Sequence, residues 1–299
     1  DPVVIAGGPC AFNPEPLADF IDAFVIGEAE EVILEIVSAV KGEELRANRG
    51  RESVLKKLSE IQGVYVPSIT NPDRRSEHLS RSVIGMGSAA ITKRIIKDLD
   101  SSFFPTDIIV SYIQIVHDRI GIEIMRGCPH QCKFCQACRI FQPLRIRSVK
   151  RIMEIAEESV RNTGYEEISL LSLSSGDYPH IEELAGKLEE KFKPLGVKIS
   201  LPSLRVGTFE KHSGMGTLKR AGLTFAPEAG SERLRHTLNK NIQDAEIIEK
   251  SGIALNSGWK KVKLYFMVGL PGETSEDLDA IIELAGKIKN VHPVRNKFS

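Results

Sequence analysis

Four of the chain's five cysteines, Cys128, Cys132, Cys135 and Cys138, fall within eleven residues, directly after a stretch, Ile120–Met125, whose alternation reads as a β-strand. Thiols this crowded cannot all pair as disulfides, and five cysteines in 299 residues do not make a disulfide scaffold. The spacing points instead to a metal or an iron–sulfur cluster held on a loop at a strand end. Structural zinc usually takes four ligands from two knuckles separated by a longer loop, for which this loop is cramped. A ferredoxin-type carrier uses C-x2-C-x2-C-x3-C-P, which Cys128-x3-Cys132-x2-Cys135 does not match. Three cysteines at this spacing suit a cluster that leaves one iron without a protein ligand, the requirement for chemistry on a bound molecule.

The loop is also basic. Arg126, Lys133, Arg139, Arg145, Arg147, Lys150 and Arg151 lie in a window with no Asp or Glu. Positive charge favours thiolates and an anionic cluster, although most of these side chains read as a solvated face. With only Phe134 and Phe141 interleaved, the loop is a weak nucleic-acid signal. Lys plus Arg and Asp plus Glu are each 40, so zero net charge argues against a protein that coats nucleic acid or an anionic membrane. No apolar run approaches the roughly 18 residues of a membrane span, and no signal peptide is visible. Unpaired cysteines and the missing leader place the expectation in a reducing compartment, the cytoplasm.

Patterning divides the chain into three parts: the C-terminal part of a Rossmann-like module over 1–40, a mixed connector over 41–119, and a core domain over 120–299. Val3–Ala6 reads as a buried strand and Phe24–Ile26 as a second. A helix carrying Leu17, Phe20 and Ile21 lies between them, and another helix follows over Glu28–Val40. Glu52–Ile61 has helical spacing, Gly63–Pro67 is extended, 68–107 is weakly patterned, and Ile108–Val116 is β-rich. From residue 120 strands and helices alternate. The strands are Ile120–Met125, Ile168–Leu173, Val197–Leu201, Leu223–Ala226 and Val262–Val268. The helices begin with one capped by Ser148 and ended by Gly164, then Ile181–Phe192, a Gly-interrupted Phe209–Ala221, pieces to Asn256, and Ser275–Lys289. Such alternation predicts a parallel α/β sheet or barrel with its active groups at the C-terminal strand ends. A chain that opens on a strand and stops after a helix is read as incomplete at both ends.

Arg126-Gly-Cys128-Pro-His-Gln-Cys132-Lys-Phe-Cys135 resembles the signature loop of the radical SAM superfamily. Four further stretches agree in order: Leu173-Ser174-Ser175-Gly176-Asp177, Ser200–Arg205, Glu228-Ala-Gly-Ser231 with Asn239-Lys240, and Gly269-Leu-Pro-Gly-Glu273-Thr. The last two are similar to the methylthiotransferase-like branch, and the resemblance spans roughly residues 120–298. It implies a partial (βα)6 TIM-like barrel in which Cys128, Cys132 and Cys135 hold a [4Fe–4S] cluster and S-adenosylmethionine chelates the fourth iron. Phe134 takes the family's aromatic position near the adenine. Ser174, Ser175, Gly176 and Asp177 fall where the methionine amino group is bound, Arg205 at the next strand end, Glu228 at the fourth, and Gly269 where backbone approaches the adenine. The implied chemistry is reductive cleavage to a 5′-deoxyadenosyl radical that abstracts hydrogen from an unidentified substrate, fed by an external low-potential donor of the flavodoxin or ferredoxin type. Gly7-Gly8-Pro9 and Asp22-x2-Val25-Ile26-Gly27-Glu28-x-Glu30 resemble the back half of a cobalamin-binding-type Rossmann domain. The chain has no Asp-x-His-x2-Gly motif, so cobalamin is not expected on it. With only Cys10 upstream of the loop, methylthiotransfer is disfavoured.

Plainer roles stand beside these. Glu228 is balanced between a cofactor contact and capping of a helix start, and Ser175 and Asp177 between cofactor contacts and turn formation. Arg205 pairs either with the cofactor carboxylate or with a surface acid. Glu273 with Thr274 is expected to cap the last helix. His130 is read as a loop residue, Lys240 as a solvated helix lysine, Cys10 as a packed thiol and Cys138 as a small buried residue rather than a fourth ligand. The alternative to the enzyme is a non-catalytic iron–sulfur carrier or a zinc-stabilised binding domain.

Overall fold

Short β-branched runs between glycines and prolines build the first sheet. In a computed structural model, which describes residues 2–44, 50–70, 91–201, 205–208 and 222–291, β1 (Ile5–Ala6) pairs in parallel with β2 (Ala23–Val25), and β2 pairs antiparallel with β3 (Val64–Tyr65). Helices α1 (Ala29–Glu44) and α2 (Arg51–Ser59) bury Val32, Ile36, Leu55 and Leu58 against Val25 and Val64. A one-turn helix, α3 (Pro67–Thr70), follows. Two expectations fail here. Val4 and Ile5 are exposed rather than buried. The first helix is replaced by two 3-10 turns, Pro9–Phe12 and Glu15–Leu17, because Pro9, Pro14 and Pro16 remove amide donors and bias their predecessors away from helix. Leu17, Phe20 and Cys10 are consequently exposed.

The chain divides into two compact units, Asp1–Phe103 and Phe104–Ser299. Within the first, Arg94 pairs with Glu31 and Glu35 of α1 at 2.9 and 2.7 Å, and the Ile96 amide donates to the Glu28 carboxylate at 2.6 Å.

In the second unit, β4 (Ile120–Glu123), β7 (Glu167–Leu171) and β8 (Lys198–Ser200) form a parallel sheet in the order β4-β7-β8. β9 (Leu223–Glu228) and β10 (Val262–Phe266) form a second parallel pair. Between β4 and β7 lie an antiparallel hairpin of β5 (Met125–Arg126) and β6 (Arg145–Ile146), the single turn α4 (Ala137–Ile140), and α5 (Val149–Thr163). Helices α6 (Ile181–Phe192), α7 (Glu232–Thr237), α8 (Asp244–Asn256) and α9 (Ser275–Val291) complete the alternation of a partial TIM-like barrel. Among the described residues the two parallel sheets share no ladder.

Local signals place most of these elements well. Ser148 Oγ accepts from the Arg151 amide at 3.1 Å, and Gly164 ends α5 in the left-handed region at φ 69°. Ile120, Ile122, Ile168 and Leu170 bury on one side of the sheet against Ile152, Ile155, Leu184 and Leu188, the period-2 and period-3.6 faces meeting in one core. Strand ends move: β7 stops at Leu171, β9 extends to Glu228 and β10 stops at Phe266. Ile108–Val116 is no strand. It has no ladder partner, and Ile109 and Val116 are 99% and 93% exposed; β-propensity without a neighbour makes no sheet. The anticipated helix over Phe209–Ala221 and residues Pro202–Leu204 lie outside the described residues.

Helix α9 closes on the turn after β9. A Cβ on Gly230 would lie 2.3 Å from the Asp277 carbonyl oxygen and 2.6 Å from the Ile281 nitrogen, so only glycine admits this approach. Asp277 is buried there. Its carboxylate accepts from Ser231 Oγ, from the Arg233 guanidinium and, at 2.8 Å, from the Thr274 amide. The Ser231 hydroxyl leads in holding the carboxyl down to about 2, with the Thr274 amide and Arg233 assisting against the upward pull of burial. A depressed carboxyl stabilises the fold above its ordinary value and loses that contribution as pH falls through its folded value. Thermal melts should therefore show wild-type stability falling from pH 3.8 toward about 2, with Asp277→Asn, already weakened at neutral pH, falling less across the same window. Parallel declines of the two proteins would reject the assignment.

Candidate active site

The cysteine loop is cinched at its base by arginines. Arg126 donates to both carboxylate oxygens of Glu123 at 2.8 Å. Arg147, fully buried, donates from Nε to the Glu123 carbonyl at 3.0 Å and stacks its guanidinium 5.5 Å from the Phe104 ring centroid. Arg145 donates to the carbonyls of Pro143 and Phe141 at 2.9 and 3.3 Å. The expectation of a solvated basic face is thus corrected for Arg145 and Arg147: a loop turning back on itself leaves buried carbonyls, and guanidinium supplies donors enough to satisfy them. Gly127, at φ 91°, sits where a Cβ would come within 2.8 Å of the Phe141 carbonyl oxygen. Gln142 Nε2 donates to the Cys128 carbonyl at 3.0 Å.

On this frame Cys128 and Cys132 are buried, Cys135 is half-buried, and all are free thiols. Burial pushes the Cys128 thiol up, an effect that the His130 amide and the Arg205 guanidinium offset only in part, so a metal centre bound there would displace its proton. Cys138, also buried, points its S–H at the Cys135 carbonyl, 2.9 Å away. Among the described residues no three His, Cys, Asp or Glu side chains converge as a single-ion site.

The motif after β7 meets the loop through a pair far apart in sequence. His130 Nε2 lies 2.8 Å from Asp177 Oδ2, which also accepts from Ser174 Oγ. Burial pushes the Asp177 carboxyl up, but the hydrogen bonds from His130 and Ser174, with the field of Arg205, hold it below the usual range. Ser175 Oγ is 3.0 Å from Ser172 Oγ and donates to the Leu170 carbonyl at 3.2 Å; Ser175–Asp177, with Gly176, form a 3-10 turn. The serine hydroxyls therefore shape the turn, while Asp177 faces His130 and Arg205 acts electrostatically on both Asp177 and Cys128. His130, read from sequence as a plain loop residue, is the link.

At the end of β9, Glu228 adopts φ 74° where the β9–β10 ladder shifts register. A non-glycine residue in that region costs about 1–3 kcal/mol and persists where its surroundings impose it. Ser231, not Glu228, caps the following helix, its Oγ accepting from the Leu234 amide at 3.1 Å. Lys240 is no solvated lysine: it is 7% exposed, with Nζ 2.7 Å from Glu228 Oε1 and 5.9 Å from the Phe134 ring centroid. Glu273 accepts from the Gly269 amide at 2.6 Å, fixing the turn after β10, which corrects its expected role as a cap. Arg235, buried in α7, donates to the carbonyls of Ile242, Ala229 and Gly230 at 2.8, 3.0 and 2.7 Å and pairs with Asp244. No sequence signal marks Arg235 or Gln142, whose partners are mostly backbone atoms that carry no residue code.

Polar groups at successive strand ends beside one loop of free thiols, on a parallel α/β frame, define an α/β protein whose candidate site lies at the carboxyl ends of its parallel strands. Residues 122–285 match the radical SAM superfamily, and residues 1–67 match the N-terminal region of radical SAM proteins. The chain belongs to the radical SAM superfamily, for which a [4Fe–4S] cluster and S-adenosylmethionine are the implied cofactors. It is 35% identical to an uncharacterised protein of Methanocaldococcus jannaschii over 96% of this chain and 56% of that protein. It is 25% identical to the anaerobic magnesium-protoporphyrin IX monomethyl ester cyclase of Rubrivivax gelatinosus over 90% of this chain and 45% of that one. The fold is similar to the radical S-adenosylmethionine methyltransferase TsrM of Kitasatospora setae, solved with cobalamin and a [4Fe–4S] cluster bound, with a TM-score of 0.67, 12% identity, and 96% of this chain against 55% of that one. The chain spans about half the length of these relatives. Among the described residues no helix is long and apolar enough to cross a membrane.

Proposed function

We propose that the chain holds a [4Fe–4S] cluster on Cys128, Cys132 and Cys135, binds S-adenosylmethionine beside it, and acts as a radical enzyme on a substrate carrying an abstractable hydrogen. The observation that carries this is the joining of the thiol loop to two strand-end carboxylates, Asp177 through His130 and Glu228 through Lys240 and Phe134. A mere electron carrier has no use for either. Held by Cys128, Cys132 and Cys135, such a cluster would supply the one-electron reduction that splits S-adenosylmethionine into methionine and a 5′-deoxyadenosyl radical.

The donor set fits that group. Three soft thiols suit iron, and three of them leave one iron of a cluster open to a ligand, whereas structural zinc takes four protein ligands. Asp177, steadied by His130 and Ser174, offers its carboxylate to the N–H groups of the ligand's amino group, and Arg205 offers its guanidinium to the ligand's carboxylate. Ser175 and Gly176 hold the turn that aims Asp177. Phe134, Glu228 and the Gly269 backbone line the adenosyl side. Arg145 and Arg147 keep the loop closed and its backbone dry. Cys138 supports the Cys135 carbonyl and is not assigned as a ligand. The reductant is an external low-potential flavodoxin- or ferredoxin-type protein, and the setting is the cytoplasm, where the thiols stay reduced. Cobalamin is not assigned to this chain.

Anaerobic reconstitution with iron and sulfide tests the proposal. It is expected to give about four irons per chain and, with a strong reductant, 5′-deoxyadenosine from S-adenosylmethionine. Preferential zinc binding, or a reduced cluster that leaves the sulfonium intact, would sink it.

A further inference from the structure

We infer that Lys240 is a positioning residue for the adenosyl half of the ligand: it locks the Glu228 carboxylate and the Phe134 ring together, so that the end of β9 and the thiol loop present one surface. The inference rests on the function proposed above and concerns groups of this chain alone.

Three consecutive residues after α7 brace the loop. The Leu238 carbonyl accepts from the Lys133 amide at 3.0 Å, Asn239 Nδ2 donates to the Gln131 carbonyl at 2.9 Å, and the Lys240 ammonium lies over Phe134. Asn239 takes φ 57° to do so, a conformation that asparagine tolerates better than most residues and that turns the chain sharply toward Glu228. The Lys240 backbone is held in turn by its amide, 2.9 Å from the Arg235 carbonyl. An ammonium this deeply buried keeps its charge only with compensation, and it finds both kinds available: a carboxylate at 2.7 Å and an aromatic face.

Glu228 is the part of this set that is poised to act. Its positive φ, at a point where the β9–β10 ladder is irregular, re-aims the side chain away from the regular strand direction. Its backbone carbonyl is pinned by the Met267 amide at 2.8 Å. Among the described residues only Lys240 engages the Glu228 carboxylate, at Oε1, which leaves the second oxygen to accept from a hydroxyl or amino group of a nucleoside. Without Lys240 the carboxylate would be half-buried and uncompensated, and the Phe134 ring would lose the contact that ties it to β9.

The experiment uses the reconstituted holoprotein. S-adenosylmethionine binding is measured by equilibrium dialysis, and separately by titrating the ligand-induced change in the electron paramagnetic resonance signal of the reduced cluster. Lys240→Met is expected to keep its iron but bind about tenfold to hundredfold more weakly, as for loss of one partner of a buried charge pair. Lys240→Arg, which keeps both the charge and the ring contact, is expected to stay within about threefold. Glu228→Gln should weaken binding, and the double variant should be no worse than the weaker single, because both changes break the same pair. Unchanged binding by Lys240→Met, or fully additive effects of the two substitutions, would overturn the inference. If Lys240→Met does not fold, Lys240→Gln takes its place in the same comparison and is read the same way. Failure of the wild type to bind S-adenosylmethionine would sink the proposed function together with the inference, whereas wild-type binding with an indifferent Lys240 would sink the inference alone.

Discussion

Cys135→Ala is expected to emerge from anaerobic reconstitution without an intact cluster and to release no 5′-deoxyadenosine, whereas Cys138→Ala keeps both within about twofold. The two thiols are neighbours on one loop, so the contrast tests geometry rather than cysteine content. The Cys138 S–H is directed at the Cys135 carbonyl 2.9 Å away and, more distantly, at the Cys132 carbonyl at 3.8 Å. Taking Cys135's place would require that thiol to abandon its acceptors and α4 to rotate. Iron counts, visible absorption and product chromatography read the outcome. A Cys135→Ala protein with full iron and activity would show that Cys138 substitutes freely. Loss of the cluster in Cys138→Ala would make it a fourth ligand and close the open iron.

The second large effect is structural. Arg235→Met should lower the stability of the core by about 3–5 kcal/mol, the usual result of breaking a buried charge network from one side. The guanidinium is fully buried and serves three backbone carbonyls and Asp244 at once. Its removal strands acceptors both in the turn that follows Glu228 and at the start of α8. Urea unfolding of the reconstituted protein measures the loss, and Asp244→Asn, which removes one partner but leaves the carbonyl bonds, should cost less. A loss under about 1 kcal/mol would place Arg235 among ordinary surface-like residues.

The particular elements show what a linear reading reaches. The helix Ile181–Phe192, the Ser148 cap, the Gly164 stop and the spacing of the three cysteines all depend on residues within one or two turns of each other, and all were legible. The first segment failed because prolines at positions 9, 14 and 16 outweighed a short apolar pattern. Ile108–Val116 failed because a strand needs a partner that its own residues cannot name. The motif after β7 was legible as polar strand-end residues, but not that Ser175 spends its hydroxyl inward while Ser174 and His130 hold Asp177 facing the loop.

By itself, then, the order of residues determined the alternating α/β class, the thiol loop at a strand end and the superfamily it belongs to, because periodicity, caps and ligand spacing are short-range properties. Only the tertiary structure decided which charges are buried and with whom. His130 and Asp177 are 47 residues apart, Ser231 and Asp277 46, and Lys240 and Glu228 12. A buried ion pair or a carbonyl clamp exists only once packing has excluded water and brought the partners within hydrogen-bond distance, and no local pattern in the chain records that distance.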